Sequence, residues 1–129
     1  MVSHGSMAQG MLEAARMIVG EMEGILAVSL QEADAVENLM DRISESINSV
    51  DTGDGVLILV DVFGASPFNA SARLAMVRDK IEVISGVNLP MLLEIAIQQS
   101  EEDLDALVQT ALNAGSSSIR TLSQTLKKD

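Results

Sequence analysis

Hydrophobic and polar positions alternate between two periods along the chain, and the switches mark the elements. Val56-Leu57-Ile58-Leu59-Val60 is an unbroken apolar run of strand length, which suits a strand covered on both faces by helices. From Met7 the apolar positions Met11, Ala14, Ala15 and Ile18 recur at helical spacing, and Ser6 with Gln9 reads as a capping box. Ile25-Leu26-Ala27-Val28 reads as a short strand. Val36, Leu39, Met40, Ile43 and Ile47 form one stripe of an amphipathic helix that stops near Asn48, with Glu37, Asp41, Arg42 and Glu45 facing away. The turn cluster Asp51-Thr52-Gly53-Asp54-Gly55 launches the central strand, and Pro67 opens a helix running to about Val77. Ile81 to Ser85 is a further strand. Asn88 and Pro90 start a helix reaching roughly Gln99, and Leu104, Leu107, Val108, Ala111 and Leu112 define another that ends near Gly115.

Strands alternating with helices across short turns predict an α/β fold, a doubly wound and mostly parallel sheet with helices on both faces. At 129 residues the whole chain, 1–129, is expected to be one domain. Two segments resist the pattern. Met1 to Ser3 read as only the last residues of a first strand, either because the chain starts upstream or because a shortened centre is tolerated. Ser116 to Leu122 reads as a short strand or as a helical tail, and the end, Lys127-Lys128-Asp129, as helix or fray.

Composition narrows the chemistry. Nineteen acidic against eight basic side chains give a net charge of −11, which disfavours a phosphate-neutralising grip on nucleic acid and suits basic partners or plain solubility. With no cysteine and a single histidine, disulfides, thiolate metal sites and multi-histidine clusters are excluded, which leaves carboxylate-only Mg²⁺ sites open; no cofactor or metal is expected. The sequence has no signal-peptide pattern and no long uncharged apolar run, so the expected compartment is the cytoplasm.

The candidate chemistry lies at two strand ends. Asp61 follows the central apolar run, and His4 ends the first strand. In a sheet of order 2-1-3-4 these strands are neighbours, and both side chains emerge where the crevice of a doubly wound sheet opens. A carboxylate accepting the Nδ1 proton of an imidazole fixes the tautomer and leaves the Nε2 lone pair free. Gly5 permits close backbone approach, and the helix beginning at Ser6 offers N–H groups suited to an anion. Gly64 turns the chain, and Ser66 is placed to cap the next helix. A surface histidine or helix cap is the plainer reading of His4, and a structural acceptor that of Asp61; together they describe a receiver for phosphate carried on histidine. Phe63-Gly64-Ala65-Ser66-Pro67 is not a nucleophile elbow, which argues against serine-hydrolase chemistry.

Four segments carry a resemblance: Val2-Ser3-His4-Gly5, Gly55 to Asp61, Gly64-Ala65-Ser66-Pro67-Phe68-Asn69, and Ile84-Ser85-Gly86-Val87-Asn88-Leu89-Pro90-Met91. In this order they resemble the EIIA component of the mannose/fructose/sorbose family of the bacterial sugar phosphotransferase system (PTS). The resemblance implies that His4 is phosphorylated by the phosphocarrier protein HPr and passes the group to an EIIB component for sugar uptake. Asp61 would be its orienting partner, Gly5, Ser6 and Ser66 the phosphate side, and Phe63, Gly64 and Pro67 a partner-contact surface. It also implies a homodimer in which an antiparallel C-terminal edge strand crosses to the other subunit, and contact with the membrane only through the EIIC and EIID subunits. The same domain type serves in regulators and in the phosphodonor subunit of dihydroxyacetone kinase, and the residues do not say which sugar is involved.

Overall fold

The computed structural model describes residues 1–127. Four parallel strands, β1 (Val2–His4), β2 (Val28–Leu30), β3 (Val56–Val60) and β4 (Ile81–Ser85), form one sheet of order β2-β1-β3-β4. The helices are α1 (Met7–Val19), α2 (Val36–Val50), α3 (Ser66–Val77), α4 (Leu89–Gln98), α5 (Leu104–Ser117) and α6 (Leu122–Leu126). The doubly wound α/β reading and its strand order therefore hold.

Because side chains alternate across a strand, β3 feeds two cores at once. Leu59 packs with Leu12, Met91, Leu92 and Ile95 on the face covered by α1, α4 and α5. Ile58 and Val60 pack with Leu39, Ile43, Ile47 and Leu74 on the face covered by α2 and α3. Gly55 makes the tight entry to β3 at φ +104°, where a Cβ would stand 2.6 Å from the Lys80 carbonyl oxygen, so no other residue fits without displacement.

Several boundaries differ from the sequence reading. β2 occupies Val28–Leu30 instead of Ile25 to Val28, because β1 pairs it in the register Val2 to Val28, Ser3 to Ser29 and His4 to Leu30. The capping box at Ser6 and Gln9 is not formed; the buried Ser3 hydroxyl instead accepts the Ala8 N–H at 2.8 Å. Ser66 is the first residue of α3, with Ala65 at the cap position, so Ser66 does not cap and Pro67 is second in the helix, where its missing N–H costs nothing. Asn88, where the sequence starts a helix, does cap it, accepting Met91 N–H at 3.0 Å, and Asp103 caps α5 by accepting Ala106 N–H at 2.8 Å.

The C-terminal edge strand is the largest correction. α5 continues to Ser117, and Thr121 with Gln124 forms a capping box that starts α6, so 116–122 contains no strand. The cue was local: Thr-x-x-Gln is a helix start. The sheet among the described residues is wholly parallel, with β4 at its edge. Lys128 and Asp129, for which helix or fray was expected, lie outside the described residues.

Candidate functional site

His4 and Asp61 meet because β1 and β3 are adjacent, Val2 standing opposite Val60. One carboxylate oxygen, Asp61 Oδ2, lies 2.7 Å from His4 Nδ1 and accepts the His4 backbone N–H at 2.8 Å. The other oxygen accepts the Val62 N–H at 2.9 Å. The Asp61 side chain is 6% exposed and that of His4 52%, so a nearly buried acid holds a half-exposed ring. Burial alone would raise the Asp61 pKa, but the N–H of His4, the His4 ring and the Val62 N–H together outweigh it and hold the carboxyl below its ordinary value. An ionised Asp61 assigns the Nδ1 proton, which leaves Nε2 with its lone pair in the neutral ring. Among the described residues Nε2 has no hydrogen-bond partner.

Around His4 lies an open cleft of about 510 Å³, bounded by Gly5, Leu30, Gln31, Glu32, Asp34 and Ser66. Gly5 sits at φ +54° and donates to Leu30 O at 2.8 Å, turning the chain from β1 into α1. Ser66 lines this cleft, and its hydroxyl has no hydrogen-bond partner among the described residues. At the start of α1 the Ser6 and Met7 N–H groups have no backbone or side-chain partner among the described residues, whereas that of Ala8 is taken by Ser3.

Of the residues singled out by sequence, the cleft gathers His4, Gly5 and Ser66, with Asp61 beneath the imidazole. Ser6 lies beside it in the turn into α1. Phe63 is 73% exposed and packs its ring on Phe68 at a centroid distance of 4.5 Å, with the exposed Val62 and Gly64 as neighbours. Pro67 is fully buried, so its side chain serves packing and is not itself an exposed contact. Two residues escaped the sequence reading. Arg42 donates to Ser29 O at 2.7 Å and to Asp34 Oδ2 at 2.8 Å, and that same oxygen accepts the Gln31 N–H. The pair pins the loop that walls the cleft. An Arg facing away from the α2 stripe gave no sign that it would reach back to this loop.

The geometry defines a doubly wound α/β protein with an imidazole–carboxylate pair at the topological switch point of its sheet. The family model described as "PTS system fructose IIA component" matches residues 1–112. The chain is 35% identical over 121 residues to the PTS system mannose-specific EIIAB component of Escherichia coli K12, which covers 93% of this chain and 38% of that protein. It is 28% identical to the PTS system fructose-specific EIIA component of Bacillus subtilis, over 97% of this chain and 86% of the relative. The crystal structure of a phosphotransferase system component EIIA from Streptococcus agalactiae superposes with a TM-score of 0.88 at 25% identity, covering 95% of each chain. The chain belongs to the EIIA family of the mannose/fructose/sorbose type, a group of sugar phosphotransferase system proteins. It spans little more than a third of the length of the Escherichia coli protein it matches.

Proposed function

We propose that His4 is a phosphoryl carrier, charged at Nε2 by HPr and discharged to an EIIB component in sugar uptake. The observation that carries this reading is the 2.7 Å contact between His4 Nδ1 and Asp61 Oδ2, which leaves Nε2 as the free nucleophilic nitrogen. In the charging step the Nε2 lone pair forms a bond to phosphorus as the donor's bond to phosphorus breaks. The ring then carries positive charge, and Asp61, accepting the Nδ1 proton, offsets it. Phosphoryl transfer through a loose transition state asks for positioning and electrostatic support more than for covalent help from the protein. Ser66 and the open Ser6 and Met7 N–H groups supply donors on the side where the phosphoryl oxygens would lie. Asp61 keeps its proton donor in place through discharge, when Nε2 becomes the leaving group.

Val62 and Phe63, both exposed beside the histidine, form an apolar landing for the donor and acceptor. Their place is in the cytoplasm, and the link to the membrane runs through the EIIC and EIID subunits. The open outer edge of β4 and the exposed Met76, Val77, Ile119, Leu122 and Leu126 support a homodimer, now without an exchanged strand within 116–122.

The test is incubation with phosphoenolpyruvate, enzyme I and HPr, followed by mapping of acid-labile phosphate and 31P NMR. Label on Nε2 of His4 is expected. Label that persists in His4→Ala protein means the acceptor is another residue.

A further inference from the structure

The cleft beside His4 is poor in positive charge. Its lining includes Glu32 and Asp34 but, among the described residues, no lysine or arginine. A phosphoryl group on Nε2 would bring further negative charge into this cleft, on a chain that already carries −11.

Arg42 answers part of this from behind the wall. Its side chain leaves α2 and places both terminal nitrogens on the segment that follows β2: Nη1 donates to Ser29 O at 2.7 Å and Nη2 to Asp34 Oδ2 at 2.8 Å. The Gln31 N–H donates to the same Oδ2 at 2.8 Å, and the Asp34 N–H closes the turn onto Gln31 O at 3.0 Å. These bonds bracket Leu30, the register partner of His4, whose carbonyl accepts the Gly5 N–H. One guanidinium therefore fixes the strand end beside the imidazole and holds a carboxylate at the edge of the cleft. Arg42 is the one cation paired with Asp34 among the described residues, and Glu32 has no ion-pair partner among them.

We infer that the Arg42–Asp34 pair is an electrostatic positioning device that sets how far His4 favours its phosphorylated form. Arg42 cancels the charge of Asp34 at the cleft wall, and Glu32 is left as the lining carboxylate that opposes the phosphoryl oxygens. The inference rests on the phosphohistidine reading of His4. Both partners are partly exposed, Arg42 at 39% and Asp34 at 28%, so solvent screens the pair and its leverage is modest. A mere loop staple predicts that loss of either partner loosens the same wall in the same way. Charge gives the two partners opposite signs: without Arg42 the wall becomes more negative, and without the Asp34 charge it becomes more positive.

The test is the equilibrium constant for exchange of the phosphoryl group between phospho-HPr and the 129-residue chain, read from the integrated 31P NMR signals of the two phosphohistidines. Exchange breaks one bond to phosphorus as the other forms, and the constant depends only on the free carriers, so docking does not enter it. Arg42→Gln is expected to shift the equilibrium toward HPr by about two- to fivefold, and Asp34→Asn to shift it toward His4 by a similar factor. The double variant is expected to return close to wild type, and Arg42→Lys, which keeps the charge, to stay near it. At about 1 M salt, where the screening length is about 3 Å, both shifts are expected to shrink. Asp34→Asn is isosteric and decides the sign even if Arg42→Gln does not fold. Shifts of the same sign in the two single variants, no recovery in the double, or no shift in either overturn the proposal. Wild-type protein that takes no phosphate on His4 overturns the phosphohistidine reading as well, whereas labelled His4 with unmoved equilibria overturns this proposal alone.

Discussion

Asp61 Oδ2 holds His4 twice, through the ring Nδ1 at 2.7 Å and through the backbone N–H at 2.8 Å, so one oxygen sets both the rotamer of the imidazole and the position of the strand that carries it. Asp61→Asn preserves the shape and an oxygen able to accept the backbone N–H, but removes the charge that opposes a cationic ring. Phosphoryl transfer from HPr is expected to slow on the order of ten- to a hundredfold, by analogy with the loss of a carboxylate partner from a metal-bound imidazole. Rapid-quench kinetics of wild type and variant measure it. Unchanged rates would separate the pairing from the chemistry.

The same carboxyl makes a pH prediction. Its folded pKa lies below the ordinary value, so the unfolded chain binds the proton more readily. The stabilisation is then fully present above the unfolded value of about 4 and is lost as pH falls through the folded one. Urea midpoints recorded from about pH 6 downward are expected to fall less steeply in Asp61→Asn than in wild type.

Charge steers encounter. With a net charge of −11, docking of a basic donor is expected to slow as ionic strength rises through the physiological range, where the screening length is about 8 Å. Stopped-flow transfer rates across a salt series check this, and a flat profile would leave shape alone to guide docking. A chelator added to the same assay is expected to leave the rate unchanged.

Gly55→Ala is expected to cost about 1–3 kcal/mol. The new Cβ would lie 2.6 Å from Lys80 O at a backbone angle that side chains rarely adopt, which forces the entry to β3 to move. Chemical denaturation gives the number. A Gly55→Ala protein as stable as wild type would show that the turn can relax.

Sedimentation tests assembly. Removing residues beyond Ser118 takes away Ile119, Leu122 and Leu126, all exposed, while leaving α5 complete. The full chain is expected to be a dimer at micromolar concentration and the shortened one to dissociate more readily. A full-length monomer would reject the homodimer.

How far the sequence could be read depended on whether the deciding interaction was local. The run Val56 to Val60 is apolar at every position because two cores claim it, and Asn88 and Asp103 announce their helices through caps that reach only three residues. His4 and Asp61 were legible as a pair because strand order alone brings their ends together. β2 lies later than its apolar run suggests because its bounds depend on the register in which β1 pairs with it, a partner more than twenty residues away. Ser6 was given a role that Ser3 performs, since both can reach the start of α1 and only the buried geometry chooses between them. The tail stays open between strand and helix although Thr121 and Gln124 carry a helix-start signal, because the apolar residues around them are too few to show a period. The Arg42 to Asp34 contact joins a helix to the loop before it and leaves no periodic trace.

Ser3 also bears on energetics. By bonding the Ala8 N–H inside the protein, it withdraws one of the donors that the first turn of α1 would otherwise turn toward an anion on His4. Each increment of about 1.4 kcal/mol by which a carrier favours its charged form makes onward delivery tenfold less favourable at equilibrium. A helix end partly satisfied from within grips its cargo less, and so preserves the transfer potential of the phosphorus–nitrogen bond for the next acceptor.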